Sequence, residues 1–187
     1  KKGNPRLELL FRQKKEGLGK AYLAAFRKIL TDNDARCVCT VDADFSHGIQ
    51  YLLEMLQEIN NFNVVMGSRY VQGGGTEGWP FWRIWLSRAA NLYCRLLFRF
   101  PIKDYTSGFM CIRTALLKKI DLEKINTFGF AFLIELKYLL FQRGGSFKEI
   151  PIIVKNRKEG ESKVTMGIIL EGASVSSGLL LKEFTKK

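Results

Sequence analysis

No uninterrupted apolar stretch in this chain reaches the roughly 20 residues needed to cross a bilayer, and no signal-peptide pattern appears. Any membrane association is therefore expected to be peripheral or through a partner. Internal repeats and low-complexity tracts are missing too, which leaves one continuous domain over residues 1–187. Cysteines number only four, at positions 37, 39, 94 and 111, in apolar segments without metal-ligand spacing. That excludes a disulfide framework and predicts reduced core thiols of a protein on the cytosolic side. Acidic residues are scarce beside basic ones, 18 against 30. The net charge of +12 calls for an anionic partner: nucleic acid, an anionic membrane surface or a phosphorylated substrate. A hydrophobic fraction of 47% over 187 residues is enough for a real core. The chain opens on Lys1-Lys2-Gly3-Asn4-Pro5 and runs straight into a strand-like segment, which reads as a fragment with something removed upstream.

What is present alternates. Strand signals cover residues 7–12, 37–41 and 63–67; a glycine loop over 16–19 and helices over 20–30 and 49–59 fall between them. This order predicts an α/β fold with a mostly parallel sheet covered on both faces. Gly73-Gly74-Gly75 predicts a mobile loop, followed by a long helix from about Phe81 to Phe98 that ends before Pro101. A loop over 104–108, a short strand near 109–112, a helix from Thr114, a helix over 132–142, a strand over 148–154 and a helical tail over 166–184 complete the order.

The chemistry gathers first at Asp42-Ala43-Asp44-Phe45-Ser46-His47, directly after the apolar run Cys37-Val38-Cys39-Thr40-Val41. Carboxyl ends of parallel strands border the ligand crevice, and alternate residues of an extended segment project the same way. Asp42 and Asp44 can therefore share one Mg²⁺ or Mn²⁺ that bridges a diphosphate. The plainer alternative is two acids closing a strand, with Asp44 or Ser46 capping the next helix. His47 is a base or, beside this turn, a capping or supporting residue.

On the long helix, Trp82, Trp85, Leu86, Leu92, Tyr93, Leu96 and Leu97 fall on one broad arc, and Arg88, Arg95 and Arg99 cluster beside it. This describes a helix in a membrane interface, or one with its apolar face in the core. Arg83 and Ser87, one turn apart, face a common site. Gly17-Leu18-Gly19-Lys20-Ala21 opens a helix, where backbone N–H groups favour phosphate, or makes a plain turn. Arg69, past a strand's end, can hold a phosphate bidentately or sit at the surface. Arg157-x-x-Gly160-x-Ser162-Lys163 suits a diphosphate lid, or is a solvated basic loop.

Taken in order, these segments resemble one family. They are the glycine loop at 17–21, the acid motif at 42–47, Gly67-Ser68-Arg69-Tyr70 with Gly73-Gly74-Gly75, and Ser87-Arg88-x-x-Asn91. Asp104-Tyr105-Thr106-Ser107-Gly108-Phe109, Gly129-Phe130-x-Phe132-x-x-Glu135, Glu149-Ile150-Pro151-Ile152 and the basic loop at 157–163 follow. The sequence resembles the family-2 glycosyltransferases of GT-A (nucleotide-diphospho-sugar transferase) fold, and among them the polyprenol-phosphate mannosyltransferases known as dolichol-phosphate mannose synthases. Its first strand and V-P-x-Y-N-E segment are absent from this sequence, Met110 stands where Arg is frequent, and Leu133 stands where Gln is common.

The resemblance implies metal-dependent, inverting transfer of mannose from GDP-mannose to polyprenyl (dolichyl) phosphate. The setting is the cytoplasmic side of a membrane, endoplasmic reticulum in a eukaryote or plasma membrane in a prokaryote. It implies Asp42 and Asp44 as metal ligands, with Ser46, a position that can be Gln in the family, as a weaker one. Asp42, Asp44, Arg69 and Glu135 are the expected catalytic residues. Gly17, Gly19, Lys20, Asp42, Arg157 and Lys163 are expected on the nucleotide sugar, and Arg69, Arg83 and Ser87 on the acceptor phosphate. A membrane-anchoring subunit is a further expected partner. The rival expectations are an enzyme using UDP-glucose or another sugar, and an inactive membrane-associated homologue. A nucleic-acid-binding module is disfavoured, because the long helix is rich in Trp and Leu rather than being a basic groove-entering helix.

Overall fold

The computed structural model describes residues 8–156, apart from 15, 32, 33, 45, 126, 128 and 130, together with residue 178. Helix α1 (Leu18–Thr31) leads to strand β1 (Cys37–Thr40), helix α2 (Tyr51–Glu58) and strand β2 (Val64–Ser68). A three-residue strand β3 (Gly75–Glu77) precedes helix α3 (Phe81–Phe98). Strand β4 (Met110–Arg113), the single-turn helix α4 (Thr114–Leu117), helix α5 (Ala131–Gln142) and strands β5 (Phe147–Pro151) and β6 (Ile153–Lys155) follow.

The main sheet has the order β1-β4-β2-β5. Strands β1, β2 and β5 run in one direction, as the alternating pattern predicts, and β2 pairs with β5 in parallel. Strand β4 is inserted against that direction and pairs antiparallel with both β1 and β2. Side chains alternate across the sheet with the strand period of two. Val38, Val64, Met66, Met110 and Ile112 face one core with α1 and α5, while Val65, Cys111 and Ile150 face a second core under α2. Every residue of β2 is buried, because both faces of that strand are covered.

Three expectations are corrected. Residues 8–12 form no strand: Leu9, Leu10 and Phe11 are exposed and pair with nothing in either sheet, and Glu8 reaches back to Lys28 of α1. An apolar run becomes a strand only where a ladder receives its backbone groups. The expected strand over 148–154 divides in two: β5 ends at Pro151, whose missing N–H faces the open edge of the sheet, and the chain then changes sheets. The Ile152 N–H donates to the Ser68 carbonyl, and the chain then crosses to pair with β3. The glycine loop at 73–75 accordingly ends in strand β3 rather than in a mobile loop. A Cβ on Gly74 would lie 2.4 Å from the Ser68 carbonyl oxygen, so only glycine lets the chain double back so close to β2. The helix from Thr114 is a single turn, and the tail over 166–184, Arg157 and Lys163 lie outside the described residues apart from 178.

Candidate active site

Strand register sets the geometry. Thr40 and Met66 both pair with Met110, so Asp42 and Ser68 leave the same end of the sheet, one strand apart. Neighbouring strands are about 4.8 Å apart, which separates the two strand ends by roughly 10 Å.

At the β1 end, Thr40 Oγ1 donates to the carbonyls of Gly108 and Met110 and locks the strand terminus against the loop before β4. Beyond it the chain turns: the Ser46 N–H donates to Asp44 Oδ1. Ligand atoms of Asp42, Asp44 and His47 all lie within 4.8 Å of one another. Two carboxylate oxygens and an imidazole nitrogen fit a divalent cation that keeps its remaining positions for phosphate and water. Burial lowers the His47 pKa against the opposing pull of Asp42 and Asp44, which keeps a lone pair on the ring. The expected ligand Ser46 is instead buried with its hydroxyl 3.1 Å from His47 Nδ1, so it positions the histidine that joins the carboxylates. The spacing alone placed His47 at a turn; that it folds back onto the acids is a result of the loop.

Helix α1 approaches this end through Tyr22, a residue the motifs do not flag. Burial and then the charge of Asp42 push its pKa up to about 12, and a Cβ on Gly108 would lie 3.3 Å from its hydroxyl. Gly17 has φ +94° at the start of α1, as the glycine loop requires, and Gly19 is buried in the first turn. Lys20 pairs with Glu16 at 2.7 Å on the exposed side.

At the β2 end, Arg69 meets Asp104. Its Nε and Nη2 donate to the two carboxylate oxygens, each at 2.7 Å, its own N–H adds a third bond at 3.1 Å, and Nη2 also reaches Thr106 Oγ1. Asp104 is fully buried. Burial alone would raise its pKa, and the Arg69 guanidinium overcomes this and holds it below the ordinary value. The fork expected to grip phosphate is thus occupied by a carboxylate; among the described residues Nη1 alone of this guanidinium lacks a hydrogen bond. From below, the buried Lys137 donates to the carbonyls of Tyr105 and Ser107 at 2.7 and 2.6 Å. Burial pulls its pKa down to about 7. The sequence signal for it was a lysine inside the apolar run Phe132-Leu133-Ile134-Glu135-Leu136-Lys137-Tyr138-Leu139-Leu140.

The acceptor residues named from sequence come together around two aromatics. Trp79 stacks under Arg83 at 3.7 Å and lies 5.3 Å from Arg69; the Tyr70 hydroxyl donates to Ser87 Oγ at 2.6 Å. Glu135 is buried and accepts from Thr127 in the segment before α5.

Helix α3 packs through Asn91, Cys94 and Phe98. Most of its apolar arc faces outward: Trp82, Trp85 and Leu96 are 55%, 62% and 67% exposed, with Phe81 beside it at 74%, while Leu97 packs against the main core. No helix among the described residues is long and apolar enough to cross a membrane.

Residues 1–121 match the family described as Glycosyl transferase family 2. An undecaprenyl-phosphate mannosyltransferase of Micrococcus luteus is 34% identical over 168 residues, 90% of this chain and 69% of the relative. A polyprenol monophosphomannose synthase of Mycolicibacterium smegmatis is 37% identical over 167 residues, 89% of this chain and 63% of the relative. The chain thus spans about two thirds of these relatives. Among solved structures, glucosyl-3-phosphoglycerate synthase of Mycobacterium tuberculosis with phosphoglyceric acid superposes with a TM-score of 0.62 at 14% identity, over 88% of this chain and 55% of that one. The same enzyme with Mn²⁺, uridine diphosphate and glucosyl-3-phosphoglycerate gives 0.57 at 15% identity, over 89% and 53%. These likenesses fix the GT-A fold. With the acid cluster after β1 and the arginines after β2 and on α3 in place, the chain belongs to glycosyl transferase family 2 and, within it, to the polyprenol-phosphate mannosyltransferases.

Proposed function

We propose that this chain transfers mannose from GDP-mannose to the phosphate of a polyprenyl phosphate at a membrane surface, with inversion at the anomeric carbon. The observation that carries the reading is the pairing of an acidic cluster and a guanidinium cluster at one end of one sheet, a single strand apart. Two anionic substrates need opposite treatment. The nucleotide diphosphate approaches Asp42, Asp44 and His47 only with a cation between them, and the acceptor phosphate approaches Arg83, Ser87 and the remaining Arg69 nitrogen directly. Bound there, Mg²⁺ or Mn²⁺ would neutralise the diphosphate and the leaving GDP. An imidazole in the donor set favours Mn²⁺, the softer of the two.

The acceptor needs no general base. A phosphate monoester has a second pKa of about 6 and is largely dianionic at neutral pH. One of its oxygens attacks C1 of the sugar as the C1–O bond to GDP breaks and its electron pair leaves on the diphosphate. The protein's part is placement and electrostatics. Arg83, held flat on Trp79, and Ser87, held by Tyr70, fix the acceptor, while Asp104 and Lys137 make the loop over 104–108 a rigid wall beside it. The exposed Trp and Leu side chains of α3 lie in the headgroup region, so that the polyprenyl tail stays in the bilayer.

The test is transfer by the purified chain on vesicles holding polyprenyl phosphate, with GDP-mannose and UDP-glucose compared as donors. The expected product is polyprenyl phosphate mannose, β-linked by NMR, formed from GDP-mannose alone. Transfer from UDP-glucose alone would reassign the sugar, and no transfer from any donor by a chain that also carries the upstream strand, despite GDP binding, would mark an inactive homologue.

A further inference from the structure

A cavity of about 410 Å³ lies between α3, the residues that follow β2, and Lys103. Arg69 lines it from the buried side, Arg88, Arg95 and Lys103 from the exposed side, and no acidic side chain is among its lining residues. Arg69 is neutralised by Asp104. The other three are not: among the described residues, none of Arg88, Arg95 and Lys103 is within ion-pair distance of a carboxylate. Among the described residues, three cations without an ion-pair partner thus border one void, their mutual repulsion tempered by solvent and by Glu149, whose carboxylate accepts the Lys103 N–H at 2.8 Å, and relieved further when an anion enters. The void adjoins the acceptor pocket, with which it shares Arg69 and Tyr70, but opens on a different face of α3. Arg88, Asn91, Leu92 and Arg95 follow each other at helical spacings of three, one and three residues and form one stripe, whereas Arg83 and Ser87 point elsewhere and do not line the cavity.

A second feature chooses among anions. Leu92 lines the cavity and is itself 56% exposed, continuing into the exposed apolar arc of Trp85 and Leu96. A soluble anion would satisfy the cations and leave this apolar rim in water. A ligand with an anionic head and an apolar body satisfies both. We propose that the cavity is a second anion site that takes the phosphate headgroup of an anionic phospholipid, anchoring α3 on the membrane beside the acceptor pocket. The proposal rests on the reading that α3 lies on a membrane, and it adds that lipid charge, not only apolar surface, decides how tightly the protein binds.

The experiment is partition of the 187-residue chain onto phosphatidylcholine vesicles with and without phosphatidylglycerol, at physiological salt. Each basic side chain close to an anionic surface strengthens partition about fivefold. Arg88→Gln/Arg95→Gln is therefore expected to lose roughly twenty- to thirtyfold of the binding to phosphatidylglycerol vesicles, and little on phosphatidylcholine alone. Lys118→Gln/Lys119→Gln is the control. It removes the same charge just after α4, at the opposite end of the sheet, and is expected to change binding at most severalfold. Equal losses from both double variants would show that net charge alone acts and would overturn the site. So would saturable binding of inorganic phosphate at this cavity in the absence of vesicles, abolished by Arg88→Gln/Arg95→Gln, which would assign it to a soluble anion. Failure of the membrane reading looks different: the wild type would then bind neither kind of vesicle, and Leu92→Ser/Leu96→Ser would change nothing.

Discussion

Asp104→Asn replaces one oxygen by an amide nitrogen and removes one buried charge. Asp104 accepts five hydrogen bonds: Arg69 N–H and Nε on Oδ2, and Arg69 Nη2, Thr106 Oγ1 and Ser107 N–H on Oδ1. An amide cannot satisfy them in either orientation. With its nitrogen at the Oδ2 position it faces two Arg69 donors; flipped, it faces Arg69 Nη2 and the Ser107 N–H. The Arg69 guanidinium is left buried without its counterion, a loss of about 3–5 kcal/mol for a broken buried pair. For a chain of this size each kcal/mol moves the melting temperature by about 2–4 °C, so the variant is expected to melt roughly 6–20 °C below wild type at pH 7. The pH dependence carries the sign. Asp104 titrates lower in the fold than unfolded, so its stabilisation is present above the unfolded value, about 3.9, and is lost as pH falls below it toward the depressed folded value. The gap between wild type and variant should narrow only below about pH 4. Circular-dichroism melts across pH, with Arg69→Met/Asp104→Asn closing the cycle, measure it. The double variant should recover part of the loss because the orphaned charge is gone. A single variant melting within about 2 °C of wild type at pH 7 would refute the assignment of this pair as the clamp of the loop.

Calorimetry should find that GDP binds weakly without metal and that Mn²⁺ strengthens it in wild type but not in Asp44→Asn; equal affinity in all four titrations would remove the acid cluster from the nucleotide site. Arg83→Ala should raise the apparent KM for polyprenyl phosphate tenfold or more while GDP affinity holds, since a charge-assisted hydrogen bond is worth about 1.5–3 kcal/mol; wild-type transfer at subsaturating lipid would make Arg83 structural. Lipid-borne quenchers should quench Trp82 and Trp85 more strongly at low salt than at high; unchanged fluorescence would take α3 off the membrane. The Lys137 pKa is pulled down to about 7 in the fold from an ordinary value of 10.5. Between those values the unfolded chain holds a proton that the fold does not, so wild type should gain up to about 1.4 kcal/mol of stability per pH unit relative to Lys137→Met from pH 7 upward. Parallel stability curves from pH 6 to 9 would show that the amine is not titrating.

The sequence pattern was legible where local rules and tertiary packing agree. Helix α3 has the bounds read from it because Pro80 fixes an extended entry and a long run without Gly or Pro follows. Strand β2 was readable as an apolar run because it is buried on both faces, and β1, an edge strand buried only at Val38, because its short run Cys37-Val38-Cys39 is apolar all the same. The same apolar signal misled at residues 8–12, where composition is strand-like and, among the described residues, no strand pairs with them. Nothing local shows that β4 turns against its neighbours. Its direction follows from the connection after α3, and with it the meeting of Cys111 with Cys37 and Cys39, whose thiols lie within 4.8 Å of one another although their spacing carries no metal pattern. Lys137 was hidden for the same reason, since its chemistry comes from the distant carbonyls of Tyr105 and Ser107. His47 stood beside the acids in the sequence, and only the fold of the short turn shows that its ring joins them.

That long-range assembly also explains why the two ends of the site differ in sign. At the β1 end, Asp42 and Asp44 gather beside one imidazole that burial drives toward neutrality, a donor set suited to a metal. At the β2 end, one buried carboxylate, Asp104, is shared between Arg69, which it binds directly, and Lys137, whose charge it supports from a distance. Glu149, whose carboxylate accepts the Asp104 N–H and also supports the Lys137 charge, balances the second cation when Lys137 holds its proton. Asp104 occupies Nε and Nη2 of Arg69 and leaves Nη1 without a bond among the described residues, so occupation of the fork is compatible with phosphate binding rather than a bar to it.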